Sequence, residues 1–306
     1  MRKVSDSARA IVFGGSGFLG SHVADYLTEA GYQVAIFDLE PSPYLLPGQE
    51  MIVGNILDET AVFDAVNGCD YVYHFAGIAD LDDATTRPLD TVRQNVMGTT
   101  VILEAARRSG TKRFVYASTI YVYSDKGGFY RCSKQAAELY IEEYNKRFGL
   151  DYTVVRYGTI YGPRADSRNS VYRYLKQAID AGSIICPGSG DEMREYIHVR
   201  DVARLSVDIL ADEYRNQYVI MSGHQAIRFK DLLYMIREIL ANRVEIEFKG
   251  GEPDAAHYNI TPYSFVPRIG QKLVTHYYVD MGQGLLECIS EIYSRGFTNG
   301  QQKGSS

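Results

Sequence analysis

Tyr130 and Lys134, four residues apart in GGFYRCSK, are the two side chains of this sequence best spaced to work as a pair. On a helix they stand one turn apart on a single face. A phenol beside an ammonium can exchange a proton with a substrate hydroxyl or carbonyl. Taken alone, the pair reads equally well as a phenol packed on a lysine stem at the surface. Upstream, RFVYAST ends in Ser118 and Thr119. In an open parallel sheet the ligand crevice lies beyond the carboxyl ends of the strands. A short loop then brings the first turn of the next helix to the same crevice, so that hydroxyl, phenol and ammonium converge on one substrate oxygen.

A second constellation lies near the start. GGSGFLG spaces Gly14, Gly17 and Gly20 three apart between a strand and a helix. Glycine permits a sharp turn and close approach of the backbone to a pyrophosphate, whose charge the helix N-terminus meets. A tight turn without a ligand uses the same residues. Asp38, 18 residues beyond Gly20, ends the second strand, where an acidic side chain accepts hydrogen bonds from the adenosine ribose. A 2′-phosphate would be repelled there, and no Lys or Arg stands between Arg9 and Arg87 to neutralise it. NAD is therefore expected rather than NADP.

The elements that must position these groups alternate. RAIVFGG, YQVAIFD, EMIVGN, DYVYHFAG, KRFVYAS and YTVVRY read as strands. FLGSHVADYLTEAG and ETAVFDAVNG read as helices, followed by a long helix from about Thr85 to Ser109 and another from about Tyr130 to Phe148. This is the rhythm of βαβ units, and the fold class expected is α/β: a Rossmann-type, doubly wound parallel sheet with a smaller C-terminal α/β region. Beyond YTVVRY the rhythm loosens into proline- and glycine-rich loops, although RDVARLSVDIL and QYVIMS can return to the first sheet. The expected division is a dinucleotide domain over residues 1–157 and about 196–220, a substrate region over 158–195 and 221–298, and a tail over 299–306.

Composition narrows the classes. The 306 residues are 45% apolar and 23% charged, as in ordinary globular proteins, with a formal net charge of −6 and no clustered basic stripe. Nucleic acid is not an expected partner. No apolar run approaches the ~18 residues needed to cross a bilayer, and MRKVSDSARA lacks the apolar segment of a secretion signal. Cytoplasmic location without a membrane partner is the expectation. Cys69, Cys132, Cys186 and Cys288 are scattered, so neither zinc site nor disulfide framework is suggested.

With these residues in place, GGSGFLG, YHFAG, QNVMGTTVILEAARRSG, YAST, YRCSK, RYGTIYGP and REYIHVRDVA together resemble the landmarks of the extended short-chain dehydrogenase/reductase family. Within it they are most similar to the NAD-dependent nucleotide-sugar epimerases and dehydratases. The likeness runs from about residue 10 to 210 and fades over the last third. It implies that Tyr130 is the catalytic acid–base. Lys134 and a positive nicotinamide ring would lower its pKa from near 10, and Lys134 would hold the nicotinamide ribose. Thr119 would hydrogen-bond the reacting oxygen, with Ser118 its neighbour and possible substitute. Asn55 would accept from the adenine amino group, where the family usually has Asp. His74 to Gly77, with Phe75 and Ala76, would pass beneath the cofactor, His74 having a structural role at least as readily as a ligand contact. The resemblance also puts Phe18, Leu19, Ile56, Asn95 and Tyr157 at the cofactor. Thr159, Asn169, Arg194 and Arg268 would meet the substrate, Arg194 pairing with the diphosphate. Arg194 reads alternatively as a surface ion pair with Glu192 or Glu195, and His257 or Tyr258 are alternates to Arg268.

The departures bear on the reaction. Family dehydratases place an acidic pair directly after the Ser/Thr; here Ile120 and Tyr121 stand there. The loop before Tyr130 is short, and Thr159 replaces a frequent Asn. The resulting expectation is an NAD-dependent epimerase acting at C4 of a nucleoside-diphosphate hexose through a transient keto sugar. The alternatives are a reductase or dehydrogenase, a dehydratase drawing its base from Cys132 or Tyr121, and a non-catalytic NAD-sensing protein. The resemblance further implies a homodimer packed through the long helix and the Tyr–Lys helix.

Overall fold

The computed structural model describes residues 8–250, 271–273 and 277–301. The chain begins with β1 (Arg9–Phe13), α1 (Phe18–Glu29), β2 (Gln33–Asp38), β3 (Glu50–Val53), α2 (Glu59–Val66) and β4 (Tyr71–His74). Next come α3 (Leu81–Thr86), α4 (Pro88–Val92), a π-helical turn (Arg93–Met97), α5 (Gly98–Arg108), β5 (Arg113–Thr119), a 3₁₀ turn (Ile120–Tyr123), α6 (Gly128–Phe148) and β6 (Tyr152–Tyr157). There follow β7 (Thr159–Tyr161), α7 (Ser170–Ala181), β8 (Ser183–Cys186), β9 (Met193–His198), α8 (Val199–Asp208) and β10 (Gln217–Met221). The last elements are β11 (Ala226–Arg228), α9 (Phe229–Ile239), β12 (Glu245–Phe248), β13 (Gln271–Leu273) and α10 (Met281–Gln301).

Two compact units result. The first runs to Gly158 and takes in Val202–Met221 and β13. Its sheet has eight strands in the order β13-β10-β6-β5-β4-β1-β2-β3, every pair parallel. QYVIMS does return to this sheet, as β10 beside β6. The strands carry near-continuous apolar runs because both faces are covered. Ile11, Phe13, Phe37, Val72, Ile102, Leu103 and Phe114 form the core on one face. The strand order reverses between β1 and β4, so the crevice of a doubly wound sheet opens there, at the carboxyl ends.

The second unit holds Thr159–Asp201, β11, α9, β12 and α10. It has a three-stranded sheet, β11-β9-β7, and a parallel pair, β12-β8. Leu175, Phe229, Leu232, Leu233, Ile236 and Leu285 fill its core. The return to the first unit starts at Val202, later than the expected 196.

The expected long helix from Thr85 to Ser109 is not continuous. Pro88, lacking an N–H, starts a new helix at its first turn, and the π-helical turn interrupts the next segment before α5. Helix α6 begins at Gly128, two residues before Tyr130, after Gly127 takes a left-handed φ of 87°. Helix α10 runs to Gln301, past the expected tail boundary at 299.

Candidate active site

The cradle at the first strand–helix turn is built from backbone. Gly14 has φ +79°, and a Cβ there would lie 2.6 Å from the Ala76 nitrogen. A Cβ on Gly20 would run into the Gly14 carbonyl oxygen. The turn is thereby pressed against the segment that leaves β4, which brings Phe75 and Ala76 beside Gly14, while Gly77 follows with φ +139° against the Asn95 amide. Phe18 and Leu19 open that helix, half-buried, with Gly17 as its N-cap. Asp38 closes the cradle: Oδ2 accepts from the Ser16 N–H at 2.9 Å and Oδ1 from the Leu39 N–H at 2.7 Å. A dinucleotide fits here, because the glycines let the turn close up without side chains and α1 starts at Gly17 with no side-chain cap on its N-terminus. Asn55 stands exposed past β3, its Oδ1 accepting from the Leu57 N–H at 3.0 Å; a carbonyl oxygen keeps a second lone pair. Ile56 is buried against Gly98.

Asn95 does more joining than binding. The π-helical turn aims its amide so that Oδ1 accepts from the Ile78 N–H (2.7 Å), while Nδ2 donates to the Ile78 carbonyl (2.8 Å) and to Ser133 Oγ (2.9 Å). With 1% exposure, this side chain fastens the strip after β4 to α6 between Tyr130 and Lys134. Tyr157 is likewise occupied: its hydroxyl meets Ser206 Oγ at 3.0 Å and its ring packs beside Phe75. His74 is buried, with Nε2 2.8 Å from Thr99 Oγ1. Burial, with the Lys134 charge adding to it, lowers its imidazole to about 3, so it is neutral and structural.

At the end of β5 the sheet delivers Thr119, whose side chain hydrogen-bonds the half-buried Tyr130 hydroxyl. Tyr121 packs edge-on against the Tyr130 ring, centroids 6.4 Å apart, and over Gly127. The short loop works because Gly127 can turn left-handed beneath that ring. Lys134 is buried; its Nζ donates to the Ala117 carbonyl at 2.8 Å and lies 5.7 Å from the Tyr130 ring centre. Burial lowers this ammonium to about 8, opposed by the Glu138 charge. Burial also pushes the Tyr130 phenol up to about 12, opposed by the Thr119 bond. In the protein alone, burial outweighs the Thr119 bond at this phenol.

Ser118 is bonded away from Tyr130. Successive strand residues point to opposite faces, and Ser118 Oγ donates to Glu138 Oε1 at 2.5 Å. Glu138 in turn is held by Arg156 of β6, through Nε to Oε1 (3.1 Å) and Nη2 to Oε2 (2.7 Å). Arg156 Nη1 donates to the Tyr123 hydroxyl (2.5 Å), and its guanidinium lies over the rings of Tyr123 and Tyr218. This buried pair escaped the sequence reading. The signal was present: Glu138 follows Lys134 by one turn on the inward face of α6. Stranding one charge of such a pair costs about 3–5 kcal/mol.

The remaining expected residues belong to the second unit. Asn169 caps α7, accepting from the Tyr172 N–H at 3.2 Å and donating to the Ile160 carbonyl at 2.8 Å. Thr159 opens β7. Arg194 lies half-buried in β9, opposite Ile227 of β11. Glu195 is bonded by Ser222. Arg268, His257 and Tyr258 lie outside the described residues. Among the described residues no cluster of His, Cys, Asp or Glu could hold a metal, and no helix is long and apolar enough to cross a membrane. Cys132 is exposed on α6; Cys69, Cys186 and Cys288 are buried thiols.

A family model described as the NAD dependent epimerase/dehydratase family matches residues 10–220. A Methanocaldococcus jannaschii protein provisionally named UDP-glucose 4-epimerase is 28% identical over 264 residues, 78% of this chain and 83% of that protein. A UDP-N-acetyl-alpha-D-glucosaminuronate decarboxylase of Bacillus cytotoxicus is 29% identical over 248 residues, 71% of this chain and 75% of that one. The crystal structure of UDP-glucose 4-epimerase from Thermotoga maritima, with UDP-glucose, superposes with a TM-score of 0.81 at 23% identity, covering 94% of this chain and 99% of that one. It shares the fold.

Proposed function

Because the chain belongs to the NAD dependent epimerase/dehydratase family, we propose that it binds NAD and epimerises a nucleoside-diphosphate hexose at C4. The observation that carries this reading is the meeting of Thr119, Tyr130 and Lys134 at the end of β5, with Ile120 and Tyr121 where a dehydratase needs its acidic pair. Bound NAD supplies a hydride acceptor that returns what it takes, so no net oxidant is consumed. Gly14, Gly17 and Gly20 admit its pyrophosphate, and Asp38 accepts from the ribose hydroxyls. Tyr130 takes the proton of the sugar hydroxyl as that carbon is oxidised, and gives it back after the keto sugar has presented its other face. Thr119 shares the reacting oxygen with Tyr130 and fixes its direction. Lys134 places a positive charge near the phenol that, together with the charge of bound NAD, would favour the phenolate. Arg194 is the proposed partner of the diphosphate, for which a guanidinium fork is suited.

Incubation of the purified protein with UDP-, GDP- and dTDP-hexoses and the corresponding uronic acids, followed by NMR and mass spectrometry, tests this. A C4 epimer of unchanged mass is expected. Loss of water or of carbon dioxide from the sugar would replace epimerisation by dehydration or decarboxylation, and lasting absorbance near 340 nm would indicate a net reductase or dehydrogenase.

The partner proposed is a second copy of the chain. Leu89, Val92 and Met97 on the α4 to α5 segment, and Leu139 and Tyr140 on α6, are all large apolar residues left exposed. Two such helix faces packed together would cover them. Sedimentation should show a dimer, converted to monomer by Leu139→Glu.

A further inference from the structure

Glu138 lies one turn beyond Lys134 and two beyond Tyr130 on the same helix, and is 6% exposed. It carries neither substrate nor cofactor chemistry in the reading above. Yet its two oxygens collect the hydroxyl of Ser118, which immediately precedes Thr119, and the bidentate guanidinium of Arg156. Arg156 extends the link to Tyr123, the last residue of the turn that follows Thr119. One carboxylate therefore grips β5 on the residue before Thr119, β6 through Arg156, and α6 on the turn after Lys134.

We propose that Glu138 is a positioning residue of the active centre, whose clamped carboxylate sets Thr119 and the Tyr130–Lys134 turn in register and keeps the Lys134 ammonium charged. This deepens the reading of Tyr130 and Lys134 as the catalytic couple and rests on it. The groups around Lys134 leave Glu138 as its counter-charge. Its Nζ faces the Ala117 carbonyl and the Tyr116 ring of β5, the ring being 4.8 Å away. From β4 it meets neutral His74, and from its own helix the Tyr130 ring. None of these is an anion, whereas Glu138 opposes the effect of burial on Lys134. Around Glu138 stand Arg156 from β6 and, more distantly, the phenols of Tyr116, Tyr152 and Tyr218. Arg156 holds the carboxylate in place through both of its oxygens, and so acts on Lys134 through it.

The titration that decides it needs neither substrate nor NAD, so failure of the proposed reaction leaves it intact. Lysine-labelled protein is titrated by NMR, with Lys134 assigned by the signal missing from Lys134→Met. Wild-type Lys134 should titrate near 8. In Glu138→Gln it should lose its proton at lower pH, with an acid dissociation constant at least about threefold larger. Should the stranded arginine keep that variant from folding, Glu138→Gln/Arg156→Gln removes both charges and should move Lys134 in the same direction. Glu138→Asp, which keeps the charge, should restore the wild-type midpoint, and Ser118→Ala should leave it in place while weakening turnover. In active protein the alkaline limb of the rate profile should follow the Lys134 midpoint in each variant. A midpoint unchanged in the folded charge-removing variants overturns the proposal, as does a Glu138→Asp midpoint that follows Glu138→Gln.

Discussion

The glycine cradle and the Tyr130 centre occupy carboxyl ends of the same sheet but are held by different forces. The cradle is steric: Gly14 and Gly20 let two backbone segments approach where any Cβ would collide. The centre is electrostatic: a buried ammonium, a phenol raised by burial and a clamped carboxylate balance one another. A steric site is indifferent to pH and intolerant of a methyl group. An electrostatic one has room for a side chain of the same shape but changes with each charge and proton.

That contrast can be broken from either side. The largest effect expected is on the centre, where Tyr130→Phe removes a proton carrier without removing volume. Turnover should fall about 10³-fold while the urea midpoint barely moves; a fall in midpoint with little loss of rate would make Tyr130 a packing residue. On the cradle, Gly20→Ala should cost about 3 kcal/mol of stability, the upper end for forced overpacking, and abolish NAD binding seen by calorimetry. Gly31→Ala is its control. Gly31 has φ +92° with open space around it, so alanine there should cost only about 1 kcal/mol of backbone strain and leave NAD binding unchanged.

A further effect is confined to a pH window. Folded Lys134 gives up its proton near 8, while the unfolded chain keeps it to about 10.4. Between these values the unfolded state binds more protons, so stability rises with pH across the window, by up to about 3 kcal/mol from this group. Lys134→Met should flatten that rise in urea titrations from pH 8 to 10. Gly20→Ala should leave the slope as it is in wild type, which sharpens the distinction between the two regions.

The two regions also differ in what a sequence reveals of them. A backbone constraint selects a residue type, and GGSGFLG ahead of a helix with Asp38 downstream carries the cradle almost completely. The spacing of Tyr130 and Lys134 marks a helix face, and the adjacent strand marks Thr119. What stayed hidden depends on tertiary neighbours. Ser118 and Thr119 are equivalent hydroxyls in the sequence, and only the strand's alternation against α6 assigns Ser118 to Glu138. Arg156 sits in the apolar run YTVVRY, where nothing local names its partner. The π-helical turn at Asn95 is invisible to a periodicity of 3.6, because its extra residue is held by Ile78 and Ser133 rather than by helix propensity. Asn169 was expected at the substrate, and its capping of α7 went unread, since a cap and a ligand ask for the same amide.

The interleaving of the two units has a consequence for synthesis. While the ribosome is still making the segment after Tyr157, β6 is complete but its outer edge has no neighbour, because β10 lies some sixty residues further on. A nascent chain must carry that row of unpaired amides until Gln217–Met221 emerges, which makes this edge the place where a folding helper or a wrong pairing would first find the protein.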